Sequence, residues 1–70
     1  MADIDLAIVE EHPNGKLLYS LRMQSAEGRM EFPIAVQNEG TAVRNEAAAL
    51  RAALRYAEEL AESLRLRLGS

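Results

Sequence analysis

The sequence predicts an α+β domain in which a three-stranded antiparallel meander packs on one long C-terminal amphipathic α-helix. Three observations carry that prediction. Apolar residues alternate with polar ones through three consecutive runs between residues 3 and 37. Both breaks between those runs hold turn residues. After Gly40 the apolar spacing changes to a helical one. Period two marks a strand with one covered face, and a three-four spacing marks a helix with one covered stripe.

The first strand spans residues 3–10, where Ile4, Leu6 and Ile8 alternate with Asp3, Asp5 and Ala7. Glu11-His12-Pro13-Asn14-Gly15 then reads as a hairpin turn. Proline presets φ for the first corner, and Asn-Gly tolerates the positive φ that hairpins require. In the second strand, residues 16–24, the residues Leu17, Tyr19, Leu21 and Met23 share one face. Leu18, Ser20, Arg22 and Gln24 take the other. Ser25-Ala26-Glu27-Gly28 is a short turn ending in glycine, suited to a bulged hairpin. The third strand, residues 29–37, sets Met30, Phe32, Ile34 and Val36 opposite Glu31, Pro33, Ala35 and Gln37. Pro33 has no N–H to give a ladder, so this strand belongs at an edge, with the second strand central.

The helix is expected over residues 42–67. Val43, Ala47, Leu50, Leu54, Ala57, Ala61, Leu64 and Leu68 follow at alternating steps of four and three, and Ala53 and Leu60 widen the stripe. Ala, Leu, Arg and Glu are strong helix formers. Thr41 or Asn45 can cap the start, Thr41 being preferred because Val43 already belongs to the stripe, and Gly69 stops the end. Leu64-Arg65-Leu66-Arg67-Leu68 also alternates, which leaves a short terminal strand as an alternative. Laid across the sheet, the stripe would cover the inner face of the strands. An eight-residue strand spans ~27 Å, whereas a helix from Val43 to Leu68 spans ~39 Å, so a turn or two should overhang.

Seventy residues make a single domain, 1–70. A chain of this size buries only about 60% of its unfolded surface, and small domains usually recruit disulfides, a metal or a partner subunit. Cysteine is absent, which removes disulfides and thiolate metal sites and leaves association as the expected support. The overhanging Leu60, Leu64, Leu66 and Leu68 are the candidate surface for it, most simply by pairing with a second copy. The first strand, lacking proline, is a second candidate contact through its open edge. Met1-Ala2-Asp3-Ile4-Asp5 contains neither a basic n-region nor an apolar h-region, and no apolar stretch exceeds four residues, as in Leu6–Val9. A cytoplasmic chain without a membrane segment is the expectation.

Chemistry finds little footing in the sequence. His12, the only histidine, sits in a turn beside Glu10 and Glu11 with no convergent partners, and is expected to be exposed. Asp3, Asp5, Glu10 and Glu11 form an acidic group on the first strand, but no calcium-loop spacing accompanies them. Tyr19 and Phe32 alternate with the apolar set and should lie under the helix rather than stack on bases. Arg44, Arg51 and Arg55 make a candidate polar surface along the helix. Glu58, Glu59 and Glu62 interrupt it at ion-pair spacing, as in Arg55–Glu59 and Glu62–Arg65. No serine has a base to pair with, and the glycines fall one per turn without forming a phosphate loop. Neither catalytic residues nor a cofactor or metal are expected.

The order strand, strand, strand, helix, with a helix opening in Asn45-Glu46-Ala47-Ala48-Ala49-Leu50, resembles that of small bacterial ββ(β)α domains. The partial RNase-H-like antitoxins of toxin–antitoxin pairs are one such group. The resemblance covers element order and a few alanines. The motif those antitoxins carry between third strand and helix is missing, so the likeness implies an architecture and not membership.

The expected function is therefore that of a non-catalytic protein–protein interaction module. It would be a homodimer with an unidentified protein partner, acting as a small regulatory or inhibitory binding protein of antitoxin or phage-inhibitor type. The alternative is a nucleic-acid-binding domain using the arginine side of the helix or the sheet face. Net charge of −3, from 8 basic and 11 acidic side chains, weighs against that alternative, because phosphate binding normally needs a basic excess.

Overall fold

The computed structural model describes residues 3–69. Its elements are β1 (Asp3–Glu11), β2 (Lys16–Ser25), β3 (Gly28–Gln37) and α1 (Ala42–Leu68). The strands form one antiparallel sheet in the order β1-β2-β3. The expected α+β meander with its C-terminal helix is the observed architecture, and Pro33 lies on an edge strand. α1 runs unbroken through Leu68, so Leu64–Leu68 is helical rather than a terminal strand.

The first hairpin closes as its residues require. The His12 N–H donates to the Lys16 carbonyl at 2.8 Å, and the Gly15 N–H donates to the His12 carbonyl at 3.1 Å. Gly15 adopts φ +85°, and a Cβ there would stand 3.0 Å from Nε2 of Gln37. The positive φ is what calls for glycine, since the Gln37 side-chain end can swing aside. The second hairpin is tighter than expected. Ser25 pairs with Gly28, leaving Ala26 and Glu27 as a two-residue loop without a bulge.

The irregularity lies in β1 instead. Ile8 pairs with Tyr19 and Glu10 with Leu18, so Val9 is an extra residue with no opposite number. A bulge of this kind shifts the alternation by one. Beyond it Glu11, opposite Leu17, shares the inner face of the sheet, while Glu10 turns outward. Burial pushes the Tyr19 phenol above its ordinary range, and the Glu46 and Glu11 carboxylates push it the same way.

Thr41, in extended conformation, caps α1 by accepting from the Arg44 N–H at 3.2 Å, and Gly69 ends the helix in the left-handed region. Asn45 does a different job. Its side chain is buried, its Oδ1 accepts from the Glu39 N–H at 2.7 Å, and its Nδ2 donates to Oδ1 of Asn38 at 3.1 Å. That pair of bonds fixes how the chain leaves β3 and enters the helix, so Asn45 sets the pose of α1 over the sheet.

The core consists of Leu17, Tyr19 and Leu21 from β2, Ile34 and Val36 from β3, and Ala49 and Ala53 from α1. Tyr19 and the half-buried Phe32 lie under the helix as expected, Phe32 meeting the Tyr56 ring at 5.1 Å between centroids. The helical stripe, however, is not what covers the sheet. The buried helix residues are Asn45, Ala49 and Ala53, supported by Ala48 and Ala52. Val43, Leu50 and Leu54 are exposed. Large side chains already rise from β2 and β3, so the helix approaches with its small ones; leucines on that face would hold it off. Ala53 and Leu60, which only widen the stripe in the sequence, are the members of it that reach the sheet side.

Candidate interaction surface

Successive helix residues are rotated by ~100°, so the Leu50–Leu54 row lies a quarter-turn round from the Ala49–Ala53 row. The alanine row rests on β2 and β3. The leucine row therefore projects sideways, over the strand that the helix does not cover. That strand is β1, whose inner residues Ile4 and Ile8 are 61% and 51% exposed while Leu6 is half-buried against the core. Floor and wall meet at one end of the sheet in a cleft of about 250 Å³, where Ile4 of β1, Leu21 and Met23 of β2 and Met30 and Phe32 of β3 face Leu50, Leu54, Tyr56 and Ala57 of α1. Its lining is almost wholly apolar. Together these groups form a shelf running along one side of α1.

The molecule exposes more surface than its size calls for. Its accessible surface is 5644 Å², whereas a compact chain of 7.7 kDa exposes about 4300 Å². The radius of gyration is 13.8 Å, against ~11 Å for a compact domain of this length. Extents of 43 × 22 × 17 Å show where the excess comes from: an elongated body with a protruding helix end.

That end is as the sequence suggests, with one correction. Leu60 is half-buried, and Leu64 and Leu68 are exposed, Leu68 by 82%. Leu66 is exposed too, but two residues on from Leu64 it lies ~200° round the helix and belongs to neither row. Of the four candidate leucines, Leu64 and Leu68 share a surface with the shelf, Leu60 flanks it, and Leu66 points away.

The polar candidates do not gather into a site. Arg44, Arg51 and Arg55 are exposed on the side of α1 turned from the sheet, interleaved with exposed Glu58, Glu59 and Glu62. His12 is exposed and stands 3.7 Å from Glu10. The acidic residues of β1 are strung along the strand, Asp3 and Glu11 ~26 Å apart by strand rise, rather than clustered. Asp5 is held by Arg22 at 3.0 Å, and Arg22 also reaches Glu31 at 3.7 Å across the outer face. A depression of about 380 Å³ beside them holds the Asp5–Arg22 pair together with Asp3 and Arg29. Among the described residues no group of three acidic, histidine or cysteine side chains is placed to hold a metal ion. No helix there is long and apolar enough to cross a membrane.

The signal that would have found the shelf is the strict alternation of four and three steps along α1. Comparison with family models, with characterised proteins and with solved structures finds no match to this chain.

Proposed function

We propose that this chain is a non-catalytic protein-interaction module that works as a homodimer, in the manner of a small regulatory or inhibitory binding protein. The observation that carries this reading is the projecting end of α1, whose Leu64 and Leu68 are exposed and lie outside the core. Exposed apolar surface of that extent on a small domain marks a place where another molecule sits. The acidic balance and the interleaved arginines and glutamates of the outer helix face favour a protein partner over nucleic acid.

Light scattering on a size-exclusion column, across a concentration series, tests the reading. The expected mass is near twice 7.7 kDa. Replacing Leu64 and Leu68 together by aspartate should give a folded monomer, judged by an unchanged circular dichroism spectrum, because both side chains lie outside the intramolecular core. A wild-type protein that stays monomeric at every concentration would sink the homodimer.

A further inference from the structure

The homodimer reading leaves open which part of the surface meets its copy, and the residues along the leucine row decide it. Steps alternating between four and three average 3.5 residues, the repeat of a helix that pairs with another helix rather than with a sheet. The fold leaves Val43, Leu50, Leu54, Leu64 and Leu68 of this row exposed. It also shows that α1 is seated on the sheet only as far as Leu60, so the last two turns project beyond it.

Consider two such helices side by side and antiparallel, related by a two-fold axis. That axis keeps both alanine faces, and hence both sheets, on the same side of the helix pair. Three registers bring the projecting ends together. Full overlap, centred between Leu54 and Ala57, fails on space. Helix axes would be 8–10 Å apart, yet β1 lies beneath the gap between them, and strands cannot approach closer than ~4.8 Å. The two β1 strands would compete for the same volume.

A slide of one helical step gives the middle register. Leu54 then faces Leu64 of the partner subunit, and Ala57 faces Ala61 of the partner subunit. Large meets large and small meets small. On the outer flank of this seam, Glu58 meets its own copy and Arg51 meets Arg65 of the partner subunit, and these contacts are like-charged and repulsive.

The short register reverses both faults. Ala57 faces Leu68 of the partner subunit, and Ala61 faces Leu64 of the partner subunit, each layer pairing small with large and occurring twice by symmetry. Glu58 lies opposite Arg65 of the partner subunit, again twice. The paired segments, residues 57–68, span ~17 Å and overlap the sheet-seated part of the helix only at residues 57–60, so the two sheets stand at opposite ends without meeting.

We propose that two copies of this chain associate through antiparallel pairing of the C-terminal ends of α1, with Ala57 against Leu68, Ala61 against Leu64 and Glu58 opposite Arg65. This rests on the homodimer reading and adds its surface, orientation and register. Arg65 also interacts within its own chain. Glu58 is seven residues away along the helix, ~10 Å by rise, too far for a direct Glu58–Arg65 ion pair within one chain. Ile4 and Ile8 of β1, with Leu50 and Leu54 beside them, stay open at each end of the dimer, while Ala57 at the rim of the cleft is covered.

Charge exchange tests the pairing. Dimer dissociation constants are measured by sedimentation equilibrium for the wild type, Glu58→Arg, Arg65→Glu and the double variant. Each single exchange turns two attractions into two repulsions and should raise the dissociation constant about tenfold. The double exchange restores the attraction and should return it to within about threefold of wild type. A dimer that ignores the exchanges, or that Arg65→Glu tightens as the middle register requires, overturns this pairing and leaves the homodimer standing. A wild type that is monomeric throughout overturns both.

Discussion

The two apolar rows of α1 are a quarter-turn apart and are built from opposite residues for opposite ends. The inner row, Asn45, Ala49 and Ala53, is small and buried, and Ala49 is wholly inaccessible. The outer row is leucine-rich, and Leu54 is 60% exposed. The ordinary expectation, that the larger apolar residue goes inside, is inverted here. The inversion shows that burial is a property of a contact between two surfaces and not of one side chain. β2 and β3 supply the bulk through Tyr19, Leu21 and Ile34, so close packing requires the helix to supply little. Leucines removed from that contact are left for a surface that has yet to be covered.

Three substitutions sharpen the contrast within the monomer. Ala49→Leu should do the most damage, because a leucine in a site with no free space forces the helix off the sheet. We expect a loss of about 2–3 kcal/mol, read as a lower urea midpoint. A neutral result would mean that the inner row is not closely packed. Asn45→Ala comes next. It leaves the Glu39 N–H without its acceptor and frees the β3–α1 connection, for about 1–2 kcal/mol. If chemical denaturation registered no change, the side chain would not be setting the helix pose. Leu54→Gln should be the mildest, costing under about 0.5 kcal/mol in dilute protein. A loss above 2 kcal/mol there would mean that the sheet covers the outer row after all.

Most of the fold was legible because its signals are local. Alternation located the three strands, Asn14-Gly15 located the first turn, Pro33 located an edge, and Thr41 and Gly69 bounded the helix. Two things escaped. Which row of α1 meets the sheet depends on the volumes facing it, and alanine and leucine count alike in an apolar pattern. The bulge in β1 shifted Glu11 to the inner face, although Ile8-Val9, an apolar pair interrupting the alternation, was a sign of it. The candidate surface was half legible. The overhanging Leu64 and Leu68 followed from comparing strand and helix lengths. The open inner face of β1 did not, because nothing in a strand's own residues says whether the helix will reach it. Asn45 looked like a spare cap and is a clamp; a lone amide among alanines on the inner side of a helix was the available hint.

That clamp has a consequence for how quickly the chain reaches its structure. β1 pairs with β2, β2 with β3, and β3 with α1, so the principal contacts join elements that are neighbours in sequence. Loop-closure entropy is small for each step, and topologies of this kind belong with rapid folders. Seating the helix is the one step that is not a hairpin. Asn45 reaches back only six and seven residues to Glu39 and Asn38, which makes that step local as well.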